Sequence, residues 1–205
     1  MSYQTEIKNS LFKTNYFSID KDSLIYGDTQ MMCSEITGFS YGTTITRVNG
    51  IKSNTEFYFK FVDSSNDKIE FRFYEALLSG STPAQQNQLI TYWTWECFGN
   101  RMLNQMINTI ANGGTVNVHE LTMDRLGVHL TRKPWFRAPV DYTIPWREVT
   151  YGLQSGFLTV KSDNVPKAKK TMALKSELNA HVLMALIDNL HKDRSLCDLM
   201  SGIKR

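Results

Sequence analysis

Residues 57–73 read FYFKFVDSSNDKIEFRF. Phe57, Phe59 and Phe61 alternate with Tyr58 and Lys60; Ile69, Phe71 and Phe73 alternate with Glu70 and Arg72. Successive side chains on a strand point to opposite faces, so each triplet shares a face. Between them lies Asp63-Ser64-Ser65-Asn66-Asp67, a composition that reverses the chain. The segment is expected to be an antiparallel hairpin with one apolar and one wet side. Upstream, residues 36–48 are rich in Thr, Ile, Phe and Tyr, as strands prefer, and Asn49-Gly50 marks a tight turn. Strand-like sequence begins near Leu24-Ile25-Tyr26. Residues 1–21 are read as an arm or a short edge element.

A sheet with one apolar face needs a cover. Trp95, Phe98, Met102, Met106 and Ile110 recur at spacings of three and four, and Leu103 and Ile107 widen the stripe. That spacing predicts an amphipathic helix over about 84–112, stopped by Asn112-Gly113. The order then repeats. Short alternating runs occur at 116–121, 127–131, 142–146, 149–153, 157–160 and 171–174, and Pro145 is expected at a sheet edge or bulge. Ser176 is read as the N-cap of a second helix over about 176–191, with Leu178, Val182, Leu186 and Leu190 on its apolar stripe. The tail, 193–205, is expected to fray. The fold class expected is α+β, mainly β: two antiparallel sandwich or barrel domains, 22–112 and 115–192, each closed by one helix.

Composition narrows the function. The 205 residues carry a net charge of +3, too balanced for a bulk polyanion partner, so nucleic acid is not expected. The charge is uneven: residues 1–83 hold 8 Lys+Arg against 10 Asp+Glu, whereas residues 115–175 hold 10 against 5. The basic surface therefore belongs to the second half. Cys33, Cys97 and Cys197 are far apart and form no CxxC pair, which speaks against a disulfide framework or a structural zinc site. The opening residues lack a long apolar run and a cleavage site, and no run approaches the roughly 20 residues that cross a bilayer. A cytoplasmic protein is expected, peripheral at most to the inner face of a membrane.

Catalytic motifs are absent: there is no HExxH, no GxSxG and no P-loop. Of His119, His129, His181 and His191, none belongs to a ligand or catalytic motif; His119 and His129 read as solvent-facing strand residues, and Cys97 as packing among helix aromatics. No catalytic residue, metal or cofactor is expected. The most informative feature is Arg132, Lys133 and Arg137 around Pro134-Trp135-Phe136, with a second basic run at Lys161, Lys167, Lys169 and Lys170. Cations beside aromatics suit an anionic membrane surface, where the ring enters the headgroup zone and the charges meet lipid. Large aromatics are usually buried, however, so the favoured expectation has Trp135 and Phe136 turned inward as a plug.

At Ile144-Pro145-Trp146-Arg147-Glu148-Val149 the second half resembles bacterial pleckstrin-homology-like domains, including the GRAM type. Leu121 to Val128 is similar to their opening hairpin, Phe157 to Val160 to their later strands, and Asn179 with Val182-Leu183 to the start of their closing helix. The resemblance covers roughly 115–192. The first half is similar to a more divergent copy through Val48-Asn49-Gly50-Ile51 and Tyr58 to Phe61. The resemblance implies a bent seven-stranded sandwich plugged by one helix, serving binding and assembly rather than catalysis. Three functions follow as expectations. The first is a non-catalytic module that binds a protein partner or itself. The second is peripheral binding of anionic lipid through Arg132, Lys133, Trp135, Arg137, Lys167, Lys169 and Lys170. The third is an enzyme with its site in an interdomain groove.

Overall fold

The alternating aromatics of residues 57–73 face one core. In the computed structural model, which describes residues 2–8, 14–76, 82–133, 135–136 and 138–202, β6 (Ile51–Asp63) pairs antiparallel with β7 (Lys68–Ala76). Phe57 lies opposite Phe73, Phe59 opposite Phe71 and Phe61 opposite Ile69. All of these side chains are buried, none more than 5% exposed. β5 (Ile36–Val48) pairs along the other edge of β6 and completes a three-stranded sheet. Asn49 and Gly50 both take positive φ between β5 and β6, as the favoured two-residue hairpin turns require.

Of the arm or short edge element expected at the start of the chain, residues 2–8 and 14–20 take the edge-element form, with residues 2–8 at the edge of a sheet. β1 (Ser2–Lys8) and β2 (Thr14–Asp20) join β3 (Ser23–Tyr26) and β4 (Thr29–Met32) in a four-stranded antiparallel sheet, in chain order. Ile7, Phe17 and Ile19 are fully buried. Phe17 meets Phe71 edge-on at 5.3 Å and Tyr26 stacks on Phe71 at 4.7 Å, so the two sheets share one aromatic core. The stability of such a core comes from large apolar areas removed from water, about 1.5–3 kcal/mol per fully buried side chain.

The helical run is α1 (Thr82–Thr94), a π-helical turn at Trp95–Gly99, and α2 (Asn100–Ala111). α1 packs on β1, β2 and β7. Phe98 meets Phe39 and Phe61 edge-on, and Trp95 meets Phe39 likewise. The chain divides into two compact units, Met1–Arg101 and Met102–Arg205. The division thus falls within the helical run, ahead of residues 112–115.

The second unit repeats the strand count of the first. β8 (Val116–Val118), β9 (Leu121–Asp124), β10 (Gly127–Arg132) and β11 (Val140–Ile144) form a four-stranded antiparallel sheet. β12 (Val149–Gln154), β13 (Phe157–Ser162) and β14 (Lys169–Ala173) form a three-stranded one. Pro145 leads into a single 3₁₀ turn, Trp146–Glu148, that carries the chain from one sheet to the other. Gly127 has φ +139° and its missing Cβ would stand 2.0 Å from the Ile144 carbonyl oxygen, so no other residue fits there.

α3 (Ala180–Lys192) packs on β12 through a buried face of Val182, Leu183, Leu186, Ile187 and Leu190. It begins after Asn179, which has positive φ. Ser176 is therefore not its N-cap; Ser176 and Glu177 lie in a preceding turn whose amides bond to the Ala173 carbonyl. Where a frayed tail is expected over 193–205, the described part, up to Gly202, is ordered. Arg194–Met200 form a second short helix, α4, with Cys197, Asp198 and Met200 buried. Asp193 caps it by accepting from the Ser195 amide at 2.9 Å. Among the described residues, no helix is long and apolar enough to cross a membrane.

Candidate functional site

The β10–β11 connection carries the basic aromatic motif. The two strands remain paired out to Arg132 and Val140, so Lys133, Trp135 and Phe136 lie past the end of the ladder. Arg132 and Lys133 are exposed. Trp135 and Phe136 are each 91% exposed, with ring centroids 5.9 Å apart. This corrects the inward-plug expectation. The core below is already filled by Val128, Leu130, Ile144 and Trp146, all buried, and Trp146 donates Nε1–H to the Asp124 carbonyl at 2.8 Å. Arg137 lies outside the described residues.

The second basic run spans the end of β13, which holds Lys161, the connection, which holds Lys167, and the start of β14, which holds Lys169 and Lys170. Ala168 is buried and its peptide closes a tight turn, accepting from the Ser162 amide and donating to the Val165 carbonyl. Lys167 and Lys169, on either side of it, are exposed. Lys170 is half-buried and pairs with Glu120. The bond from Lys170 holds the Glu120 carboxyl below its ordinary range, helped by the fields of His119 and Lys133. Cations of both runs thus act on Glu120, Lys170 by direct pairing and Lys133 through its field. Arg132, Lys133, Lys167 and Lys169 make no ion pair with another described residue.

The histidines do not converge. Val118 pairs with Leu121, so His119 and Glu120 are the two turn residues of a hairpin rather than consecutive strand positions. His119 Nδ1 meets Glu177 at 2.8 Å. His129 bridges Asp124 and Thr143, with Nε2 at 2.8 Å from the carboxylate and Nδ1 at 3.0 Å from the hydroxyl. Both ring nitrogens are occupied, which removes His129 as a ligand for anything else. Burial raises the Asp124 carboxyl, but the bonds from His129 and from the Leu126 amide outweigh it and leave it below the ordinary range. His181 is buried on α3, and His191 donates Nε2–H to the Val149 carbonyl at 2.9 Å. Among the described residues, no group of three or more His, Cys, Asp and Glu is placed to hold a metal ion.

Two relationships were beyond the reach of residue spacing. Cys33 and Cys97 bias each other's thiol: the interaction with Cys97, then burial, pushes the Cys33 thiol up, and that with Cys33 lowers the thiol of Cys97, while Cys33 Sγ–H donates to the Asp20 carbonyl at 3.4 Å. In the second unit, Arg147 of the 3₁₀ turn pairs with Asp198 of α4 at 2.5 Å. These residues, with Trp146, Leu190, His191, Arg194 and Cys197, line a cavity of about 560 Å³. No family model matches the chain, and no curated protein is significantly similar to it.

Proposed function

We propose that each unit is a divergent pleckstrin-homology-like domain, and that the chain is a non-catalytic module docking on anionic membrane surface through the second. The strand count supports the first part: four strands, three strands and a helix occur twice in succession. The observation that carries the second is the pair Trp135 and Phe136, both 91% exposed at a loop tip beside Arg132 and Lys133.

Exposing two large aromatics to water is unfavourable unless something covers them in use. Each cation near an anionic leaflet contributes about 1 kcal/mol. Arg132, Lys133, Lys167 and Lys169 together reach about 4 kcal/mol, a millimolar affinity by themselves. Ring insertion has to supply the remainder, about 1.5–3 kcal/mol per buried side chain. Binding is therefore peripheral, reversible and weakened by salt.

Vesicles containing phosphatidylserine should sediment the protein at low salt and much less of it at physiological salt. The double substitutions Trp135→Ser with Phe136→Ser, and Arg132→Glu with Lys133→Glu, should each abolish sedimentation. Absence of binding at low salt rules the reading out. If Trp135 and Phe136 instead become protected at high protein concentration without lipid, self-association takes its place.

A further inference from the structure

We infer that the cavity between the Trp146–Glu148 turn and the α3–α4 corner is a binding site for a small oxyanion-bearing molecule, held by Arg147 and Arg194. The inference is independent of the membrane reading, which uses a different loop.

Arg147 is held in place from below. Its Nη2 meets Asp198 Oδ1 at 2.5 Å, and the Asp198 side chain is only 10% exposed whereas that of Arg147 is 70% exposed. A guanidinium has five donors in a rigid fork, and the Asp198 bond engages one side of it. A buried carboxylate that fixes an exposed arginine pre-positions the remaining donors for a ligand. Arg194 lies four residues before Asp198 on α4, so the two share a face. It is exposed, and its side chain has no hydrogen bond or ion pair with another described residue.

Both arginines line the same cavity. The Cys197 thiol, pushed up chiefly by its burial, feels Arg147 and Arg194 acting in the opposite direction. The cavity of about 560 Å³ lies within the range of small-molecule sites. Trp146 and Leu190 contribute an apolar wall. Planar donors arranged around an apolar floor fit a phosphate monoester or a carboxylate carrying a short hydrocarbon part.

The test is titration of the full chain with inorganic phosphate, glycerol 3-phosphate and succinate. Sodium chloride at matched ionic strength is the control, and the backbone amides of Arg147, Arg194 and Asp198 with the Trp146 indole N–H are followed by NMR. Saturable shifts at these positions with phosphate compounds alone, or with succinate alone, identify the oxyanion. Arg194→Gln should weaken binding about tenfold, as expected for loss of a charge-assisted hydrogen bond, with unchanged thermal stability. Arg147→Gln should weaken it at least as much, but it also takes the guanidinium away from the buried Asp198 carboxylate and lowers stability, so Arg194→Gln is the deciding variant. No saturable shift with any of the three probes, or wild-type affinity in Arg194→Gln, overturns the inference.

Discussion

Arg101, in the first turn of α2, donates Nη2–H to the carbonyl oxygen of Cys33 at 2.9 Å and to that of Ile36 at 2.8 Å. Those carbonyls flank the link between β4 and β5, where the chain passes from the four-stranded sheet to the three-stranded one. One cation therefore ties the helical run to the crossing point of the first unit's two sheets.

Replacing Arg101 by Met should cost about 2–3 kcal/mol. Hydrogen bonds to charged groups contribute more than neutral ones, and loss of the donor strips both carbonyls of that partner. Arg101→Lys should recover only part, because an ammonium on a flexible stem does not reproduce the planar fork. Urea unfolding of the two variants measures both numbers, and equal stability of Lys and Arg at this position would refute the argument.

Gly99 sits in the π-helical turn, where helix propensity alone predicts that alanine stabilises by about 1 kcal/mol. Packing opposes it. A Cβ at Gly99 would stand 2.7 Å from Trp95 Cε3 and 2.9 Å from Cδ2. The indole cannot easily yield, because it lies edge-on to Phe39 and donates Nε1–H to the Tyr41 hydroxyl at 3.1 Å. Overpacking costs about 1–3 kcal/mol, so the net effect of Gly99→Ala should be a lower melting temperature. A rise would show that Trp95 moves freely.

How much of this was legible beforehand depended on pattern strength. Phe57 to Phe73 alternate without a break over two strands, so their hairpin and its buried face were readable at once. β1 and β2 were not: Ser2–Lys8 has one fully buried apolar residue, Ile7, and in β2 the buried Ser18 interrupts Phe17 and Ile19. α4 is seven residues long, too short for a helical period to establish itself. Trp135 and Phe136 misled because burial is the usual fate of large aromatics, while their basic neighbours pointed outward. Arg147 and Asp198 are separated by 51 positions, and their meeting depends on a tertiary arrangement that spacing does not encode.

The three thiols should react in a definite order. Cys97 is partly exposed, and the interaction with Cys33 lowers its thiol. Cys33 and Cys197 are buried; the interaction with Cys97 and burial raise the first, and burial raises the second. The thiolate is the reactive species, so iodoacetamide at mildly alkaline pH should label Cys97 first. Peptide mass spectrometry after a short pulse reads the order directly. In Cys33→Ser a polar group remains at this position, so Cys97 should keep much of its reactivity, whereas Cys33→Ala should slow it. Equal labelling of all three sites in the folded protein would contradict the arrangement.

Asp20 gives the pH dependence a sign. Its carboxylate accepts from the Ser23 amide at 2.8 Å and the Asp22 amide at 2.9 Å, closing the turn between β2 and β3. These bonds, the Ser23 one first, hold its carboxyl below the ordinary aspartate range. A group whose folded value is depressed adds stability above its unfolded value, about 3.9, and loses it as pH falls through the folded value. Asp20→Asn keeps an acceptor but removes the charge. It should be less stable than wild type at neutral pH by under about 1 kcal/mol, since the carboxylate is well solvated. The gap should stay constant down to about pH 4 and close below it. Denaturation midpoints of the two proteins between pH 7 and pH 2.5 follow that closure. A gap that persists at the acid end would mean that the geometry of the turn, not the ionised carboxylate, is what Asp20 contributes.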